Sequence, residues 1–95
     1  MVEREYQKYL VRTLKDKFPG CIVIKNDAQL KQGIPDLLVL FKNKWAALEV
    51  KKQANAHHQP NQDFFVKRMN EMSYASFIYP ENESKVFKKL KEVFG

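Results

Sequence analysis

Residues 33–51 read Gly33-Ile34-Pro35-Asp36-Leu37-Leu38-Val39-Leu40-Phe41-Lys42-Asn43-Lys44-Trp45-Ala46-Ala47-Leu48-Glu49-Val50-Lys51. Two apolar runs flank a short polar break, the pattern of a β-hairpin. Asp36 to Phe41 reads as one strand and Trp45 to Lys51 as its antiparallel partner, with Lys42-Asn43-Lys44 supplying the turn. Side chains two apart on a strand share a face, so Glu49 and Lys51 point the same way. With Lys42-Asn43 as a two-residue turn, Asp36 lies opposite Glu49; with Asn43-Lys44, it lies opposite Lys51. Directly opposed residues share a face and lie about 4.5–5.5 Å apart. Either even register therefore gathers Asp36, Glu49 and Lys51. A three-residue loop without a bulge would set Asp36 against Val50 and break the group.

Outward from the hairpin, the rest of the chain supplies cover. Glu3 to Lys17 reads as a helix, with Tyr6, Leu10, Leu14 and Phe18 forming an apolar stripe at four-residue spacing. Pro19-Gly20 ends it. Cys21 to Ile24 is a mostly β-branched run and reads as a strand, and 26–33 reads as a polar loop. After Lys51, residues 54–59 are polar. Pro60 suits the first turn of a helix running to about Met72, with Phe65, Met69 and Met72 on one side. Tyr74 to Tyr79 reads as a fourth strand stopped by Pro80. A last helix covers about Ser84 to Phe94, with Val86, Phe87, Leu90 and Phe94 as its apolar side. The order is α-β-β-β-α-β-α. Leu38 and Leu40 line one face of the second strand, Leu37, Val39 and Phe41 the other. A strand apolar on both faces needs cover on both. That predicts an α/β fold with a mixed central sheet flanked by helices.

The bulk numbers bound the function. The chain has 95 residues, which suits one domain over 1–95. Apolar residues make up 44%, enough for a core and too many for a disordered tail. No apolar run is long enough to span a membrane, and Met1 to Glu5 lacks a signal-peptide core. Cys21 is the lone cysteine, so no internal disulfide forms; it reads as a small core residue, and the chain fits a reducing cytoplasm. A net charge of +6 draws phosphate backbones without reading their sequence.

The three converging side chains carry chemistry. Two carboxylates can hold a divalent cation through oxygen, and magnesium takes few protein oxygens and keeps several waters. Such an ion polarises a phosphate and acidifies a bound water. Lys51 can position that water or offset negative charge on the phosphate. The bland alternative is a surface ion-pair cluster, which contributes little.

Here the sequence resembles a family. Gly33-Ile34-Pro35-Asp36, then Leu48-Glu49-Val50-Lys51, then Pro60-Asn61-Gln62 opening a helix are similar to the VRR-NUC (virus-type replication-repair nuclease) family of the PD-(D/E)xK nuclease superfamily. The resemblance covers nearly the whole chain. It implies an αβββαβα nuclease core. It implies Mg²⁺ or Mn²⁺ bound by Asp36 and Glu49 with the Val50 carbonyl, Lys51 as catalytic lysine and Gln62 as an active-site residue. It also implies an acidic residue on the first helix. Glu3 and Glu5 compete for that role, and Glu3 is in phase with Gln7, Leu10 and Leu14. Residues 52–58 (Lys-Gln-Ala-Asn-Ala-His-His) depart from the glycine-containing form usual there.

The family's stand-alone members imply a homodimer that cuts four-way (Holliday) junctions in phage or prophage recombination or replication repair, acting in the bacterial host cytoplasm. Two symmetric cuts need two sites, and two-fold pairing is the commonest way to obtain them. The rival readings are a flap- or restriction-type nuclease on the same fold and a DNA-binding module without catalysis. RNA binding is disfavoured by the lack of an aromatic stacking signature. Lys25, Lys31 and Lys52 flank the strand ends near the site as candidate phosphate contacts, each equally readable as a solvated lysine; His57 and His58 read first as a solvated loop, with phosphate contact and then metal binding as the alternatives. Gln59 competes with Gln62. Gly33 can permit a tight backbone turn or a close approach of DNA. Trp45 and the Phe/Met stripes read as core, and Lys85, Lys88, Lys89 and Lys91 as a solvated face.

Overall fold

The computed structural model describes residues 1–27 and 29–95. Its elements are α1 (Glu3–Lys17), β1 (Ile22–Lys25), β2 (Leu37–Phe41), β3 (Lys44–Val50), α2 (Gln62–Met72), β4 (Tyr74–Ile78) and α3 (Glu83–Phe94). They make one four-stranded sheet in the order β1-β2-β3-β4. β1 to β3 form an antiparallel meander, while β4 runs parallel to β3 after crossing through α2. The sheet is therefore mixed, as its sequence predicts. Ala28, inside the predicted loop, lies outside the described residues.

The hairpin settles the register. Phe41 pairs with Lys44 and Leu37 with Leu48, so the turn is Lys42-Asn43 alone. Lys44 belongs to β3 instead of the turn. Lys42 takes φ 58° and Asn43 does not share that positive φ. A left-handed first residue in a two-residue loop follows the twist of the strands it joins. Extending this register by one residue sets Asp36 across from Glu49.

One face of the sheet carries most of the core. Tyr6, Leu10, Leu14 and Phe18 pack from α1, and Val86, Phe87, Leu90 and Phe94 from α3, onto Leu37, Val39, Ala46, Leu48, Val50 and Ile78. Each fully buried aliphatic side chain contributes about 1.5–3 kcal/mol. Phe18, Phe41 and Phe94 meet at ring separations of 5.2–5.7 Å, joining the end of α1, the hairpin and the end of α3. The Tyr6 and Tyr9 hydroxyls both donate to the Glu83 carboxylate, at 2.8 and 3.0 Å, and tie α1 to the start of α3.

The other face has less cover than the sequence leads one to expect. α2 packs its buried Val66 on Ala47 and Ala75, with Trp45, Met69 and Phe77 half-buried around them. Small residues on β3 and β4 let that helix come close. Met72 is 63% exposed, so the apolar side of α2 is set by Val66 instead of the full Phe65-Met69-Met72 stripe. Over β1 and β2 this face has no helix: Ile22 and Ile24 are 59% and 41% exposed, and Leu38 and Leu40 are half-buried.

Other boundaries shift by a residue or two. β1 starts at Ile22, leaving Cys21 half-buried before it with Sγ 3.7 Å from the Leu14 carbonyl. β2 begins after Asp36, β3 ends before Lys51, and β4 ends before Tyr79. Pro60 precedes α2, because Asn61 at φ 73° turns the chain into the helix. No helix among the described residues is long and apolar enough to cross a membrane.

Candidate active site

Asp36 sits where β1, β2 and β3 end together. Asn26, just past β1, donates its backbone N–H to the Asp36 carbonyl at 2.8 Å and its side-chain Nδ2 to the Pro35 carbonyl at 2.7 Å. Asp36 Oδ2 accepts the Val50 N–H at 2.9 Å. The backbone of this segment is thus held from the β1 side and the carboxylate from β3. The buried Pro35 before it removes a backbone donor that this crowded strand end would otherwise have to satisfy.

Glu49 and Lys51 lie on and just beyond β3, an inner strand, and are 2% and 5% exposed. Lys51 stays in the sheet frame because its N–H donates to the Ile78 carbonyl at 2.9 Å. Lys51 Nζ donates to Gln62 Oε1 at 2.8 Å and to the His57 carbonyl at 3.0 Å, and lies 3.8 Å from Glu49 Oε2. Gln62, the first residue of α2, donates Nε2 to Glu49 Oε2 at 3.1 Å; its Oε1 also accepts the Gln59 N–H at 2.8 Å. An amide suits that place, since it offers a donor to the carboxylate and an acceptor to the ammonium. Of the two candidate glutamines, Gln62 reaches the carboxylate and lysine, while Gln59 contributes its backbone to the same network.

Gly33 explains how α2 can start so near. At φ 88° it packs on Asn61, and a Cβ there would fall 2.6 Å from the Asn61 Cβ and 2.9 Å from its backbone carbon. A glycine fits this close approach for both reasons, its left-handed backbone and its missing side chain.

Electrostatically the centre is unbalanced. Burial, then the Asp36 charge and hydrogen-bonding contact with its carboxyl, push the Glu49 pKa up to about 9; Lys51 opposes this and Glu3 adds to it. Glu49 Oε1 is buried and has no hydrogen-bond partner among the described residues. An unpaired buried carboxylate oxygen beside a second carboxylate costs free energy unless a proton or a cation joins them. The donor set fits a hard divalent ion that keeps most of its waters. It does not fit a closed structural zinc site, because no group of three or more His, Cys, Asp or Glu side chains among the described residues is placed to hold a metal.

The remaining sequence candidates fall at different distances from this centre. Glu3 is exposed at the start of α1, yet close enough to act on Glu49. Glu5 instead accepts the Val2 N–H at 3.3 Å. His57 enters through its backbone carbonyl, with its ring residue exposed. His58 stacks on Phe77 at 4.2 Å, with Nδ1 3.0 Å from Asp63 Oδ1, so its ring walls the site beside the β4 partner of Glu49. Lys31 Nζ lies over the Phe65 ring at 5.3 Å. Lys25 and Lys52 are exposed at the ends of β1 and β3. Asn26 was not singled out by the sequence, although extending the β1–β2 register past Lys25 sets it opposite Asp36.

No protein-family model matches the chain, and no curated protein matches it in sequence. A solved structure described as a VRR_NUC domain protein matches 98% of this chain and 90% of its own length, with a TM-score of 0.73 at 17% identity. Across nearly its whole length the chain therefore has the fold of a VRR_NUC domain protein, with Asp36, Glu49, Lys51 and Gln62 drawn together at one end of the sheet.

Proposed function

We propose that this protein is a metal-dependent endodeoxyribonuclease of the VRR-NUC family. The observation that carries the reading is the buried Glu49 carboxyl, crowded by Asp36 and flanked by Lys51, with Oε1 lacking a hydrogen-bond donor among the described residues. Asp36, Glu49 and the Val50 carbonyl would hold Mg²⁺ or Mn²⁺, with Glu3 as an outer acidic group. The ion would supply Lewis-acid polarisation of the scissile phosphate and acidify a nucleophilic water.

The chain's own groups prepare that chemistry. Two of the three Lys51 ammonium protons are committed, to Gln62 and to the His57 carbonyl. The third is free to meet a phosphate oxygen or orient an incoming water, and the fixed geometry means little reorganisation on reaction. Gln62 holds Lys51 and Glu49 in a common frame, so it acts as a positioning residue. The +6 net charge favours a polyanionic substrate, with Lys25, Lys31, Lys52 and His57 as candidate backbone contacts. His58, engaged with Phe77 and Asp63, is a wall of the site in this reading.

The substrate reading is branched DNA, a four-way junction first, cut by a homodimer of phage or prophage origin acting in a bacterial cytoplasm. The uncovered apolar half-face at Ile22, Ile24, Leu38 and Leu40 supports two-fold pairing, since such patches mark interaction surfaces. Cleavage of a junction, a flap and a plain duplex, each with Mg²⁺, Mn²⁺ or chelator, tests the reading. Metal-dependent cutting that is lost in Asp36→Asn and Lys51→Ala, with DNA binding retained, is the expected result. DNA binding without any metal-dependent cutting by the parent protein would make it a binding module instead.

A further inference from the structure

On the face of the sheet away from α2, a groove of about 520 Å³ lies between α1 and the edge strand β1. Its lining has two chemistries. Half-buried Val11 and Val23 supply apolar surface over the buried Leu37, while Lys8, Arg12 and Lys25 supply cationic groups. Lys8, Arg12 and Lys25 are exposed, and none joins the ion pairs formed among the described residues. Like charges collected around one recess repel each other and gain from an anionic occupant.

The groove also has a direction. Leu37 follows Asp36 in the chain, and Gln7, which completes the lining, lies one helical turn after Glu3. A strand passing round this end of the sheet, from the face that carries Asp36 and Glu49 to the opposite one, would reach the groove. A duplex backbone needs only exposed cations and no apolar recess. Paired bases show only their edges in the grooves, whereas an unpaired base exposes its flat face. An aliphatic recess of this size, inside a cationic rim, suits one sugar and base with its flanking phosphates.

We propose that the α1–β1 groove seats an unpaired nucleotide of the DNA strand that crosses the candidate active site, with the base or sugar on Val11 and Val23 and the phosphates on Lys8, Arg12 and Lys25. The identity of the polymer rests on the nuclease reading; the groove's preference for an unpaired strand is measured without cleavage. The probes are a short oligothymidylate, an abasic strand of equal length and a duplex, titrated onto the full chain in chelator by fluorescence anisotropy. The parent protein is expected to bind oligothymidylate about fivefold or more tightly than the abasic strand, because the base covers aliphatic surface. Val11→Lys adds a positive charge but fills the recess. Electrostatics alone would tighten its binding to oligothymidylate, whereas the groove seat requires weakening by about fivefold or more as the apolar contact is lost. Arg12→Ala, at an exposed position, guards against a folding defect and is expected to weaken oligothymidylate more than duplex. Equal parental affinity for thymidylate and abasic strands, or tighter binding by Val11→Lys, overturns the proposal. If the base preference holds while the parent shows no metal-dependent cleavage, the groove stands and the nuclease reading falls.

Discussion

Glu49 costs the fold stability where it stands. Its carboxyl is buried, crowded by Asp36 and left with one oxygen unpaired, while Lys51 stands 3.8 Å from the other. Glu49→Gln replaces that strained pair with an amide that can donate to Asp36 and still accept from Gln62. In chelator the variant is expected to be more stable than the parent by about 1–3 kcal/mol, the usual cost of an unsatisfied buried polar group. Its cleavage should be lost, and Mg²⁺ should raise the melting temperature of the parent more than that of the variant. Parallel denaturant and thermal melts check this; a less stable variant in chelator would mean that Glu49 is already well paired. Gln62→Ala tests the positioning role. Removing the support of a metal-site group commonly costs about 10–100-fold in activity or metal affinity. Steady-state cleavage should fall by that range, with DNA binding nearly unchanged.

Among the elements, the start of α2 is the sensitive joint. Gly33 and Asn61 both take positive φ and touch, so the 26–33 loop sets where Gln62 begins its helix. Gly33→Ala would place a methyl group 2.6 Å from the Asn61 Cβ in a left-handed backbone, so the loop and the helix start must separate. A backbone placed in such strain costs about 1–3 kcal/mol. Cleavage is expected to fall with it, and hydrogen exchange should speed up in the first turn of α2 while α1 and α3 keep their protection. Protection lost evenly across the chain would mean a general folding defect. The sequence singles out Gly33 for a tight turn or a close approach of DNA, whereas the structure sets it against Asn61, nearly thirty positions away and joined to it only through the sheet.

At the scale of the whole molecule, the two faces of the sheet are unequal. α1 and α3 close one face, while α2 reaches β3 and β4 on the other and leaves Ile22 and Ile24 in water. If this half-face is the dimer surface, Ile24→Asp should yield a monomer by sedimentation velocity where the parent is a dimer. The fold should persist, since a position already 41% exposed loses little core. An unchanged sedimentation coefficient for a dimeric parent would place the two-fold contact elsewhere. The sequence argument that a strand apolar on both sides needs two covers accounts for β2 on the α1–α3 side. It fails for Leu38 and Leu40, because α2 follows β3 and packs beside the strand it leaves and the strand it leads to.

By itself the sequence determined the order of the elements, the apolar stripes of α1 and α3, and the common face of Glu49 and Lys51. These follow from local periodicity, in which chirality and backbone geometry repeat every two or 3.6 residues. It left the hairpin register to two even possibilities, and the Lys42-Asn43 turn with its left-handed first residue selected the one that opposes Asp36 to Glu49. Tertiary structure alone decided that Asn26 clamps Pro35 and Asp36, that the His57 carbonyl and Gln62 steady Lys51, and that β1 is left half-covered. Those contacts join segments whose separation along the chain carries no period, so they exist only once the sheet and α2 have fixed where each segment ends.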